Sequence, residues 1–243
     1  MSHGSDGYRR ATRHPWPCLL FLLPLLLAYE GGVYYYGGDN AEALRTGADT
    51  WLRWLLHGCG LRALYWPPIL ITLIFLVWNW FRRRDRPRGL LSILPGMAVE
   101  SVIFALILWG IGRAQGPVLD GLGVVLAQGS ERAAGLAAAI TFVGAGIYEE
   151  LIFRLLLFPL LFRLLLSTEM PLLLAVIFAM VLSAVIFAAA HHIGPYGEPL
   201  DGSVFLFRTL AGLYFALLFQ LRGFGIAVGT HACYDVLVGV AMA

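Results

Sequence analysis

Val143-Gly144-Ala145-Gly146-Ile147-Tyr148-Glu149-Glu150-Leu151-Ile152-Phe153-Arg154 places two adjacent carboxylates and an arginine inside an apolar run that extends from about Ala133 to Leu166. A charge at the centre of a bilayer costs roughly 2.5–3.5 kcal/mol on insertion scales, so such groups face a bundle interior and mark function. Spacing sorts the three. Glu150 and Arg154 are i,i+4 with the acid first, the favourable order for a pair on one helix face. At 3.6 residues per turn, Glu149 points about 100° away from Glu150. The arginine therefore neutralises one acid and leaves the other free for chemistry.

The rest of the chain suits that setting. Of 243 residues, 59% are hydrophobic and only 13% charged, with a mean hydropathy of +0.77. Soluble domains are about a quarter charged, so composition alone gives a polytopic membrane protein. The expected fold is an all-α transmembrane helix bundle, one domain of about seven or eight spans of roughly 20 residues each. A net charge of +2 gives no reason to expect a nucleic-acid partner. Cys18, Cys59 and Cys233 are odd in number and stand in no C-x-x-C spacing, which supports neither a disulfide framework nor a cysteine zinc site.

In chain order, residues 1–15 are polar, carry Arg9, Arg10 and Arg13, and read as a disordered cytoplasmic tail. Residues 16–132 read as N-terminal membrane helices with an interfacial helix. Trp16 to Tyr36 is an uncleaved span rather than a signal peptide, because no small-x-small cleavage site follows. Ala41 to His57 has Leu44, Ala48, Trp51, Leu52 and Leu55 at helical spacing with Arg45, Asp49 and Arg53 interleaved. It is either an amphipathic interfacial helix or a cap over the bundle. Trp66 to Phe81 is a short second span. Arg82-Arg83-Arg84-Asp85-Arg86-Pro87-Arg88 places its turn in the cytoplasm by the positive-inside rule, and the N-terminus with it. Leu90 to Ile111 is a third span containing Glu100, which either approaches the site or pairs with a basic residue. A Gly-rich connection over Arg113 to Arg132, with a short helix at Val118 to Ala127, leads to the last part, residues 133–243. There Pro159 should kink a long helix. Two further spans, Val204 to Leu221 and Phe224 to Met242, turn at Arg222-Gly223. The chain is expected to be a multi-pass protein of a bacterial or archaeal plasma membrane, in contact with the lipid bilayer.

Two later sites supply what a lone carboxylate lacks. Phe187-Ala188-Ala189-Ala190-His191 ends one apolar segment, and His231-Ala232-Cys233-Tyr234-Asp235 lies in the last. The midpoint between Glu149 and His191 falls at Met170, in Ser167-Thr168-Glu169-Met170-Pro171, which reads as a helix stop and restart. A hairpin folded there returns His191 to the depth of Glu149. The three patterns together, Glu149-Glu150-x-x-x-Arg154, Phe187-x-x-x-His191 and His231-x-x-x-Asp235, resemble the motifs of the CPBP (Abi) family. These are glutamic intramembrane proteases related to type II CAAX prenyl endopeptidases, and the resemblance makes residues 133–243 a catalytic helix core.

A carboxylate in a low-dielectric cavity is suited to act as general base, so Glu149 is the candidate. His191 holds the water or shuttles its proton, and His231 with Asp235, one turn apart, addresses the oxyanion. The resemblance implies the same roles and adds that Glu150 and Arg154 brace the helix. Phe187 places His191 by packing. Asp235 stands where CAAX-type relatives commonly have Asn; an ionised Asp accepts hydrogen bonds only, so it is protonated or it orients His231 instead. No cofactor is expected, although Glu149, His191 and His231 would also make a zinc triad with an open position. Neither H-E-x-x-H nor G-x-S-x-G occurs. The alternative functions are a zinc-dependent protease, a proton-coupled transporter using the Glu/His set as a relay, and a non-catalytic scaffold. A transporter would show duplicated halves, which the sequence lacks.

Overall fold

Proline and glycine punctuate this chain, and the helices between them carry the apolar residues. A computed structural model describes residues 3–61, 66–121, 135–194 and 197–241, and among them no strand forms. The helices are α1 (His3–Thr12), α2 (Pro15–Gly37), α3 (Gly47–Gly58), α4 (Trp66–Phe81), α5 (Leu90–Gly121), α6 (Leu136–Glu150), α7 (Phe158–Leu166), α8 (Leu172–Ala190), α9 (Gly202–Arg222) and α10 (Phe224–Val236). A π-helical stretch, Leu151–Leu157, joins α6 to α7 in one long rod. Short 3-10 segments cover Gly38–Leu44 and Arg83–Asp85. Four helices, α2, α5, α8 and α9, are long and apolar enough to cross a membrane, and α4 and Phe224–Val240 are shorter apolar helices. The chain is therefore an all-α membrane-protein bundle. Its apolar rods follow the expected segments, but not all reach spanning length alone.

Small residues set how closely the rods approach, as is usual where no water drives helices together. Gly225 lies against Met97 and Gly229 against Ser101, so α10 runs parallel to α5. Gly146 lies against Ala232 and Gly239 against Phe142, so α10 runs antiparallel to α6. Around this centre pack buried Leu22, Tyr29, Phe75, Ile147, Tyr148, Leu151 and Phe224. The expected stop at Ser167–Pro171 holds: α7 ends at Leu166 and α8 starts at Leu172, with no α-helix between.

The structure corrects several expectations. The polar N-terminus is not disordered, for α1 is helical through Thr12 and docks Ala11 beside Ile93, Met97 and Ile226. Gly223, at a φ of 94° that favours glycine, packs against Thr12 and Arg13. The α9–α10 turn is thus recessed beneath α1, and α10 begins level with Met97 rather than with the start of α5. This explains how His231, only eight residues past Gly223, lies deep enough to meet Glu149. The helix at 41–57 is shorter than expected, and of its two readings the cap is the one observed, with Ala48 and Leu52 buried beside Asp49. Trp54 and Leu55 are 78% and 58% exposed while Asp49 is fully buried, so α3 is a cap that turns its charges inward. α5 continues through Arg113 to Gly121 where a connection was expected, and the rest of the expected 118–127 helix lies outside the described residues. Glu100 takes no part in the site but is ion-paired with Arg222. The departure from regular helix near Pro159 is the π-helical stretch before it; Pro159 itself sits in the first turn of α7, where its missing N–H matters least.

Candidate active site

The wide π-helical turn begins immediately after Glu149-Glu150, and such turns are frequent at functional sites. It still brings Arg154 back onto Glu150, with Nη1 3.1 Å from Oε1 and both side chains fully buried. Arg154 Nη2 donates to the Gly212 carbonyl at 3.1 Å, and its guanidinium lies 4.5 Å from the Phe187 ring centre. Gly212 permits this because α9 passes hard against Ala184 of α8 there. The expected pair is present, and it ties α6, α8 and α9 together.

Glu150 also does something that spacing could not reveal. Its Oε1 accepts a 2.8 Å hydrogen bond from Nδ1–H of His231, a residue 81 positions away. The His231 ring, 4% exposed, stacks on Phe215 with centroids 4.4 Å apart and planes at 12°. With Nδ1 so engaged, Nε2 points to Asp235 Oδ2 at 3.4 Å and Glu149 Oε2 at 3.7 Å. His191 is oriented in the same manner. It caps α8, its Nδ1–H donates to the Phe187 carbonyl at 2.8 Å, and its Nε2 lies 3.7 Å from the same Glu149 oxygen. Phe187 packs edge-on against His191, at 4.9 Å between ring centres, and against Phe153 at 5.2 Å.

Glu149, His191, His231 and Asp235 therefore converge, with Glu150, Arg154 and Phe187 behind them. The Glu149 side chain is 14% exposed, and its buried Oε2 has no hydrogen-bond partner. It opens onto a cavity of about 670 Å³ bounded on one side by Glu42, Arg45 and Trp51 and on the other by His191, Ile193 and Glu198. His192 stands apart from the site. It is a helix-end residue whose Nδ1 bonds the Glu198 carbonyl at 2.9 Å and whose ring stacks on Phe205, while its buried Nε2 has no hydrogen-bond partner. The Arg208 guanidinium beside Glu198 holds that carboxyl below its ordinary range.

The wall facing the site holds residues that sequence reasoning left unassigned. Tyr148, next to Glu149, donates to Glu30 Oε1 at 2.7 Å, and Arg53 reaches the same oxygen at 2.9 Å. Asp49 binds Arg45 and Arg53, each at 2.8 Å, and accepts from Tyr29 at 2.8 Å. This buried network fastens the cap helix α3 to α2 and to the residue preceding Glu149. The readable signal was Glu30, an acid in the first apolar span that requires partners.

For zinc, the donor types and the engaged Nδ1 atoms are suitable, since ligand histidines usually donate their other N–H to an oxygen. Among the described residues, however, no group of three His, Cys, Asp or Glu side chains is arranged to hold a metal ion. No step is therefore derived through one.

Residues 131–237 match the model of the family described as type II CAAX prenyl endopeptidase Rce1-like. No curated protein and no solved structure matches the chain. The matched stretch contains α6 to α10 and with them all seven motif positions. Over residues 131–237, the chain is similar to the type II CAAX prenyl endopeptidase Rce1-like family.

Proposed function

We propose that the protein is an intramembrane endopeptidase in which Glu149 activates water to hydrolyse a peptide bond of a membrane-associated protein or peptide. One observation carries this reading: Glu149 Oε2 lies 3.7 Å from Nε2 of both His191 and His231. That is beyond direct hydrogen-bond length and suits groups that address a common third atom. A water there gives its proton to Glu149 as its oxygen attacks the scissile carbonyl, and His191 Nε2 steadies it. His231, as the imidazolium, donates from Nε2 to the developing oxyanion, with its ring fixed by Glu150 and Phe215. Asp235 serves as an acceptor beside that Nε2, which orients His231 and requires no protonated carboxyl. Glu149 then returns its proton to the leaving amine. The family supports peptide hydrolysis in general; the glutamic mechanism and the residue roles are this proposal's own.

The proposal extends to orientation. With the Arg82–Arg88 turn in the cytoplasm, the cavity beside Glu149 opens on the opposite face, because α2 carries His14 at one end and Glu30 at the other. The experiment compares membrane-protein termini in cells expressing the wild-type chain, Glu149→Gln or His191→Ala. Cleavage products should vanish in both variants while each protein remains inserted and folded. Undiminished products from either variant refute the site. Products should persist after thorough chelation; loss restored specifically by zinc would replace the glutamic mechanism by a metal one.

A further inference from the structure

A second cavity, also of about 670 Å³, lies between α1 and the turn joining α4 to α5. His14 and Glu30 are 16 residues apart on α2, so this cavity is roughly 24 Å from the cap network beside the proposed site. Its wall carries Arg10, Arg82 and Arg88 against one carboxylate, Asp85, which Arg82 already holds at 3.3 Å. Arg88 makes no ion pair among the described residues.

The cavity has fixed walls. His14 is 3% exposed, and its Nδ1 accepts the Trp16 N–H at 3.1 Å. The neutral ring therefore has its proton on Nε2, which donates to the Arg82 carbonyl at 3.0 Å. That bond ties the start of α2 to the basic turn. Ala11 and Ile93, both buried, form an apolar floor between α1 and α5. The level is also marked. α4 ends in Trp80 and Phe81, 65% and 79% exposed, and near the start of α5 Leu91 is 93% exposed. Exposed aromatics at the end of a membrane helix sit at headgroup depth. Arg83 stacks 4.2 Å from the Trp80 ring centre and Arg86 4.6 Å from that of Trp16, which fixes two more guanidinium groups at this level.

We propose that this cavity binds the phosphate-bearing headgroup of an anionic phospholipid, held by Arg10, Arg82 and Arg88. The acyl chains run along the exposed apolar ends of α4 and α5. A soluble phosphate offers the same anion but gains nothing from Trp80, Phe81 and Leu91. The bound headgroup bridges α1 and the α4–α5 turn. Since α1 also covers Gly223, the lipid tightens the cap over the root of α10, the helix that carries His231.

The test uses the full chain, delipidated in neutral detergent and titrated separately with short-chain phosphatidylglycerol, phosphatidylcholine and inorganic phosphate. Phosphatidylglycerol should bind, and the other two should not compete with it. At about 1 kcal/mol per basic residue near an anionic surface, Arg10→Gln/Arg88→Gln should weaken binding about thirtyfold. Arg9→Gln/Arg84→Gln removes the same charge outside the cavity wall and should stay within about twofold of wild type. Equal weakening by the two pairs, or phosphatidylcholine binding as tightly, would overturn the site. Inorganic phosphate binding as tightly as phosphatidylglycerol would overturn the lipid assignment in favour of a soluble anion. If the cavity pair does not fold, Arg88→Gln alone should cost about fivefold, and no change would be equally decisive against the proposal.

Discussion

Glu150 makes two contacts from full burial, to Arg154 and to His231, and a substitution cycle can separate their consequences. Glu150→Leu keeps the volume but leaves the guanidinium of Arg154 without a counter-charge. Breaking a buried pair from one side costs about 3–5 kcal/mol. Arg154 keeps its bond to the Gly212 carbonyl and its place over Phe187, so the lower half of that range is expected. In Glu150→Leu/Arg154→Met no uncompensated charge remains, and apolar replacement of a whole buried pair is often neutral. The double variant should therefore return to within about 1 kcal/mol of wild type. Catalysis should not return with it, because Nδ1 of His231 has still lost its acceptor. Equilibrium unfolding in mixed micelles, followed by the fluorescence of the seven tryptophans, measures the first quantity. Appearance of cleaved termini measures the second. A single variant that loses less than about 1 kcal/mol would show that Glu150 does not compensate Arg154. A double variant with wild-type cleavage would refute the claim that Glu150 orients His231.

The Cβ of Gly146→Ala would sit 2.7 Å from the Ala232 backbone nitrogen, so α6 and α10 must part; overpacking of this kind costs about 1–3 kcal/mol. Cleavage should fall further than that stability loss explains, and unchanged cleavage in a folded variant would show that helix spacing does not set the site. Cys59 is exposed at the end of α3, on the face with the cavity, while Cys18 is buried. A membrane-impermeant maleimide should therefore label it on intact cells and not in Cys59→Ser, and labelling only after permeabilisation would reverse the proposed orientation. Burial pushes the His14 imidazole below its ordinary value of 6.5. The folded state needs it neutral, so its contribution is present above pH 6.5 and is lost as pH falls below that value. The thermal midpoint of wild type should drop across that window more steeply than that of His14→Asn, which keeps a capping acceptor but does not titrate; equal slopes would disprove the His14 role.

What could be read in advance, and what could not, divides by the distance over which residues act. Glu150 and Arg154 are four residues apart, and the Ser167–Pro171 stop follows from local chemistry, so both were legible. The return of His191 to Glu149 needed only equal lengths on either side of that turn. His231 Nδ1 to Glu150 spans 81 positions and leaves no periodic trace. It depends on how far Gly146 lets α10 approach and on how deeply the Gly223 turn is recessed under α1. For α3, spacing could not choose between an interfacial helix and a cap, for another reason. Arg45 just before it, and its own Asp49 and Arg53, fall at i,i+4 spacing, the pattern of a solvated face, and beside a membrane the usual inside-outside rule inverts. Trp54 and Leu55 can face lipid at no cost, whereas three charges cannot, so the charges turn toward Glu30 and Tyr148. The same inversion separates Glu149 from its neighbour. Glu150 is fully buried with its Oε1 held by Arg154 and His231 and its Oε2 enclosed without a partner, while Glu149 lines a cavity and its buried Oε2 has no hydrogen-bond partner. Under the proposed mechanism, two identical side chains one residue apart thus take opposite duties, one holding the site together and the other accepting a proton.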